Sequence, residues 1–166
     1  CRQWQAAHPD QVHRWATANT RYRTDVDTLE DIEARLVMRE ALTEAHREAL
    51  QGVVALRGEM GAGKTTAVGY WLRALGSTDR ASSPTFALVN EYSSPIGPIF
   101  HFDLHRLERP EQVAAMGFEE YTASGQPCWV EWADRAGSLM PEDASEVRIE
   151  VGDDGSRKVT FVGPHR

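Results

Sequence analysis

The sequence predicts an α/β domain with a mixed, mainly parallel sheet and a C-terminal antiparallel hairpin. Three observations carry that expectation. Val53, Val54, Ala55 and Leu56 form an apolar run without polar alternation, as a strand buried on both faces requires. The run leads into Gly58-Glu59-Met60-Gly61-Ala62-Gly63-Lys64-Thr65, a G-x-x-x-x-G-K-[ST] loop, and a helical stretch follows. Further strands then alternate with helical segments, as parallel strands joined by crossovers do. The chain ends differently: Val147, Ile149 and Val151 alternate, Val159 and Phe161 alternate, and Asp153-Asp154-Gly155 lies between them as a hairpin turn.

Composition sets the frame. The chain has 166 residues, enough for one domain with a real core; residues 21–166 are assigned to that domain and 1–20 to an N-terminal extension. A formal net charge of −7 argues against unaided non-specific binding to nucleic acid or to an anionic membrane, both of which need basic surface. No apolar run approaches the length of a membrane span, so no membrane partner is expected. The two cysteines, Cys1 and Cys128, are one terminal and one within an apolar run, so no disulfide is expected and a cytoplasmic location fits.

In chain order, Asp10 to Ala18 reads as a short amphipathic helix after Pro9, and Tyr22 to Val26 as an edge strand. Ile32, Leu36, Val37, Met38, Ala41, Leu42, Ala45 and Leu50 recur at helical spacing, with charged residues between them as a solvated face. Gly52 closes that helix. Ala67 to Leu75 continues the helix that opens at the glycine loop, and Gly76 is placed as its left-handed cap. Ser77 to Thr85 is a polar loop with a Ser-Pro break. Phe86 to Tyr92 and Ile99 to Leu104 read as strands. In the second, Phe100, Phe102 and Leu104 share one face, and His101, Asp103 and His105 the other. Pro110 to Thr122 reads as helix broken at Gly117, Cys128 to Trp132 as a strand, and Ala133 to Met140 as a helix closed by Pro141.

The glycine loop carries the chemistry. Its glycines let the backbone turn tightly, so that its N–H groups can approach a polyphosphate, and the following helix adds the positive end of its dipole. Lys64 would reach the terminal phosphates, and the Thr65 hydroxyl would ligate Mg²⁺. Such a site needs an acidic residue at the end of a nearby strand. Asp103 and Glu131 both qualify, and periodicity does not choose between them. His101, Asp103 and His105 have the chemistry of zinc ligands. However, positions i and i+4 of one strand stand roughly 13 Å apart, so Mg²⁺ on Thr65 and a carboxylate is the better assignment.

Gly58 to Thr66, Ser83-Pro84-Thr85-Phe86, Val89-Asn90-Glu91-Tyr92, His101-x-Asp103-x-x-Arg106-Leu107, Gly117-Phe118-Glu119-Glu120-Tyr121 and Glu131-Trp132 occur in that order and spacing. With them the chain resembles the TsaE (YjeE) family of bacterial P-loop ATPases over about residues 22 to 163. The resemblance implies a three-layer, P-loop NTPase-like domain that binds and slowly hydrolyses ATP with Mg²⁺. It implies a role in forming N6-threonylcarbamoyladenosine at position 37 of tRNA with the TsaB–TsaD complex, tRNA being met only through that complex. By the same resemblance Glu59, Met60, Gly61, Ala62, Gly63, Lys64, Thr65, Thr66 and Trp132 line the nucleotide. Thr65 and Glu131 hold the metal; Lys64, Asp103 and Glu131 serve catalysis; and Ser83 and Thr85 lie in a switch-like loop. His105 departs from the family pattern, which has Tyr there.

Two further readings compete with an ATPase: a nucleotide-gated binding module without turnover of its own, and a small P-loop kinase. The kinase needs a phosphoacceptor lid, and no lid-sized basic insertion is present. Arg57, Arg80 and Arg106 are the candidate arginine fingers.

Overall fold

The computed structural model describes residues 44–84, 87–153 and 157–163. The extension at 1–20, the strand expected at 22–26, most of the helix expected before Gly52, and Thr85 lie outside the described residues. Six strands form one sheet: β1 (Val53–Gly58), β2 (Val89–Tyr92), β3 (Ile99–Asp103), β4 (Cys128–Glu131), β5 (Ser145–Val151) and β6 (Arg157–Val162). Their spatial order is β2-β3-β4-β1-β5-β6. The four central strands are parallel; β2 and β6 close the edges antiparallel, β6 pairing with β5 as the expected C-terminal hairpin does, while residues 154–156 of its turn lie outside the described residues.

Helices cover both faces, giving three layers. On one face lie α1 (Glu44–Leu50) and α2 (Lys64–Ala74). Here Leu50, Val54, Leu56, Val68, Trp71, Leu72, Trp129, Val147 and Phe161 form a continuous core. On the other face α3 (Pro110–Ala115) and α4 (Phe118–Thr122) pack Val113 and Phe118 against Ala55, Phe102, Leu104 and Val130. Strand alternation therefore sorts the chain as expected: Phe100, Phe102 and Leu104 go to the α3/α4 side. Gly117 separates α3 from α4 at φ 83°, and Gly76 ends α2 at φ 84° with Ser77 N–H donating to Leu72 O at 2.8 Å.

The structure corrects three expectations. The segment from Ala133 to Met140 is two short 3₁₀ turns, Ala133–Arg135 and Gly137–Leu139, rather than one helix. The strand placed at Cys128 to Trp132 stops at Glu131, because Trp132 turns into the left-handed region at φ 58°. The strand placed from Phe86 begins only at Val89, after Leu88 at φ 65°. These two are the positive-φ non-glycine residues among the described ones. Each such backbone costs about 1–3 kcal/mol and persists only where its surroundings impose it.

Candidate functional site

Three adjacent parallel strands end side by side. Gly58 closes β1, Asp103 closes β3 and Glu131 closes β4; Asp103 is in register with Glu131, and Glu131 with Leu56. The carboxyl edge of a parallel sheet is where the chain turns into loops and where open α/β sheets bind ligands.

The glycine loop forms first from local causes. Gly61 (φ 79°) and Gly63 (φ 104°) occupy backbone that side chains resist, and a Cβ on either would meet no atom within 4 Å, so the cradle is open on that side. Gly58 is glycine for a different reason: a Cβ there would stand 2.9 Å from Ile149 O. Ala62 N–H donates to Glu59 O at 3.0 Å and closes the turn. No side chain caps α2, whose N-cap is Gly63. Lys64 is buried, and its Nζ donates to Gly58 O at 2.6 Å and Glu59 O at 3.1 Å. The loop thus brings an ammonium group and the N-terminal end of a helix together within one turn of chain. Met60 stands out from it, 83% exposed.

The carboxylates are held from the other side. Asp103 and Glu131 are both buried. His101, fully buried, lies 2.9 Å from Glu131 Oε1 through Nε2. His105 donates its backbone N–H to Asp103 Oδ1 at 3.1 Å, and its Nδ1 lies 2.9 Å from the same oxygen. The two histidines of the candidate zinc trio therefore go to different carboxylates, His101 to Glu131 and His105 to Asp103. No group of three or more His, Cys, Asp or Glu is arranged for a metal among the described residues. Glu131 Oε2, Asp103 Oδ2 and the Thr65 hydroxyl have no protein partner among those residues. Such hard oxygen donors suit Mg²⁺, which takes one or two carboxylates and fills its shell with water and phosphate oxygens.

Trp132 directly follows Glu131 and is 41% exposed; the Arg135 guanidinium carbon lies 5.8 Å from its ring centroid and His105 tilts toward it at 6.4 Å. Both strained residues flank the carboxylates, since Leu88 O accepts the Asp103 N–H at 3.0 Å. Ser83 lies in the loop before β2. Of the arginine candidates, Arg57 is bound to Asp134 at 2.7 Å and Glu146 at 2.8 Å, and hydrogen bonding to Asp134 holds its guanidinium further toward the charged form. Burial alone would raise the Glu146 carboxyl, but hydrogen bonds from Arg57 and Arg148 outweigh it and hold the group below its usual range. Arg80 is exposed.

Sequence reasoning gave no role to His101 beyond the zinc trio, and none to Tyr92, Asn90 or Ser82. Tyr92 Oη is 3.4 Å from His101 Nδ1, donates to Ser82 O at 3.0 Å and accepts from Ser82 N–H at 3.1 Å. Asn90 Nδ2 donates to Ser82 O and to Ser82 Oγ, both at 3.0 Å. Alternation puts Asn90 and Tyr92 on one face of β2, but only strand order brings that face to His101.

Sheet order, glycine loop and paired carboxyl-edge acids define a three-layer, P-loop NTPase-like domain. A family model described as "Threonylcarbamoyl adenosine biosynthesis protein TsaE" matches residues 26–159, and the chain belongs to that family. It is 38% identical over 102 residues to the tRNA threonylcarbamoyladenosine biosynthesis protein TsaE of Haemophilus influenzae, covering 61% of this chain and 65% of that protein. It is 34% identical over 109 residues to the protein of the same name from Bacillus subtilis, covering 66% and 68%. The matches thus span about two thirds of these curated relatives' length. The crystal structure of Bacillus subtilis YdiB superposes with a TM-score of 0.58 at 26% identity, covering 83% of each chain.

Proposed function

We propose that this chain is a Mg²⁺-dependent ATP-binding protein with slow ATPase activity that supports tRNA N6-threonylcarbamoyladenosine formation together with the TsaB–TsaD complex. The observation that carries the reading is the meeting, at one sheet edge, of a glycine loop holding Lys64 and two carboxylates that each keep an oxygen without a partner among the described residues. Membership of the TsaE family supports the pathway.

The division of labour follows from the side chains. Lys64, already aimed across the loop, would trade a carbonyl partner for a phosphate oxygen. The amides of the loop and the first turn of α2 would hold the remaining phosphate charge. Thr65 Oγ1 and Glu131 Oε2 would hold Mg²⁺. When bound, that ion neutralises charge on the phosphates and orients them for in-line attack. Asp103 Oδ2 would hold the attacking water and accept its proton as a P–O bond forms and the bond to the leaving ADP oxygen breaks. His105 fixes Asp103 so that this oxygen, not Oδ1, is presented. With Arg57 engaged by Asp134 and Glu146, turnover by the chain alone is expected to be slow.

Calorimetry with ATP and Mg²⁺, followed by phosphate release, tests the reading. Lys64→Ala should weaken binding and remove turnover; Glu131→Gln should bind without Mg²⁺ nearly as wild type does yet lose the gain that Mg²⁺ brings and all turnover. A loss of at least about a hundredfold in rate is expected for either. Wild-type rates in both variants would overturn the assignment.

A further inference from the structure

We propose that Tyr92 and His101 are positioning residues that couple the docking of the loop at Ser82 to the orientation of Glu131. The proposal rests on the metal-side role given to Glu131 above and adds to it a line of communication. Four groups stand in sequence: the Ser82 backbone, the Tyr92 hydroxyl, the His101 ring and the Glu131 carboxylate, joined at 3.0, 3.4 and 2.9 Å. Tyr92 and His101 are buried at 4% and 0% exposure, so water does not substitute freely between the Tyr92 hydroxyl and Glu131, while the Ser82 end is exposed.

Hydrogen counting gives the line its direction. A carboxylate oxygen only accepts, so in a neutral ring Nε2 carries the hydrogen toward Glu131 and Nδ1 presents a lone pair. The Tyr92 hydroxyl has one hydrogen and two acceptors, Ser82 O at 3.0 Å and His101 Nδ1 at 3.4 Å. While the loop is docked, the shorter bond keeps that hydrogen on Ser82 O. When the loop leaves, the hydroxyl turns to His101, which strengthens the Nε2–H donor to Glu131 and restrains its carboxylate. The rotor therefore has two discrete states, the kind of element that can couple two places in a fold. Asn90 supports the docked state with its own two bonds to Ser82. Asn90 and Tyr92 sit on a strand that contributes no residue to the proposed nucleotide site.

The test compares wild type, Tyr92→Phe and His101→Gln. Calorimetry measures ADP affinity with and without Mg²⁺, and trypsin cleavage after the exposed Arg80 reads the loop. Tyr92→Phe should leave Mg²⁺-free ADP affinity within about twofold, change the Mg²⁺-dependent gain by about fivefold or more, and abolish any effect of Mg²⁺–ADP on cleavage at Arg80. His101→Gln keeps a donor for Glu131 but has no second ring nitrogen for Tyr92, so it should also uncouple cleavage at Arg80 from Mg²⁺–ADP. A purely structural role would lower thermal stability and leave the Mg²⁺ gain intact. If Tyr92→Phe fails to fold, Asn90→Ala, at a half-buried position, is read by the same criterion. An unchanged Mg²⁺ gain together with equal effects on cleavage in a folded variant overturns the coupling and leaves the ATPase reading standing. A wild type whose ADP affinity ignores Mg²⁺ overturns both.

Discussion

Trp129 and Glu131 stand two residues apart on the same face of β4, and they belong to different worlds. Trp129 packs edge-on against Trp71 at 5.5 Å, with Phe161 completing the cluster, and donates Nε1–H to Leu50 O at 2.8 Å. Glu131 meets His101 and keeps one oxygen without a partner among the described residues. One end of the face is filled with apolar bulk whose burial stabilises the fold. The other end buries polar groups that a core designed only for stability would omit, flanked by strained backbone at Leu88 and Trp132. A boundary this sharp on one strand says that stability and chemistry are separable by substitution here.

The largest effect that would test this boundary is at the apolar end. Trp129→Ala removes a fully buried indole and orphans Leu50 O, and should cost about 3–5 kcal/mol in denaturant unfolding. Glu131→Gln, two residues on, should change stability by far less. A Glu131→Gln variant as unstable as Trp129→Ala would erase the distinction.

A finer test separates the two indoles. Both are fully buried, but Trp71 Nε1 finds no acceptor among the described residues, whereas Trp129 Nε1 has Leu50 O. Substitution by Phe removes similar volume at each. At position 129 it also strands a buried carbonyl; at 71 it deletes an unpaired donor. Trp129→Phe should therefore cost about 1–2 kcal/mol more than Trp71→Phe. Equal costs would mean that packing alone governs this cluster.

The same contrast explains what could be read from the sequence. The glycine loop was legible because its residues are consecutive and their jobs are local: positive φ at Gly61 and Gly63, an ammonium group at Lys64. The layers were legible from period-two alternation in β3. Asp103 and Glu131 were legible as candidates because each ends an apolar run. Their partners were not, because the contact of His101 with Glu131 depends on β3 lying beside β4, which no local pattern encodes. The misplaced element ends have one physical source. Leu88 and Trp132 adopt left-handed backbone that their residue types disfavour, so propensity carried one strand too early and the other too late. With Gly137 also at φ 53°, the helix expected after Trp132 breaks into two 3₁₀ turns. Sequence reasoning failed where the fold holds strain beside the carboxylates.

The smallest expected effect lies on the apolar side and is read by pH. His46 is buried against Phe161, ring centroids 4.2 Å apart, and burial is the main reason that its pKa falls to about 4. An unfolded histidine titrates near 6.5. Between those values the unfolded chain takes up a proton that the folded one refuses, so stability is full above about pH 6.5 and declines as pH falls toward 4. Glu146 works in a lower window. Its folded pKa lies below the unfolded carboxylate value, so its contribution is present above about pH 4.3 and lost as pH falls through the lowered value. The melting temperature should drop by a few degrees from pH 7 to pH 5. His46→Phe, which keeps a ring against Phe161 and cannot take up the proton, should flatten that slope whatever it does to the absolute value. An unchanged slope would place the titrating group elsewhere and leave the stacking of His46 on Phe161 without a part in the pH dependence.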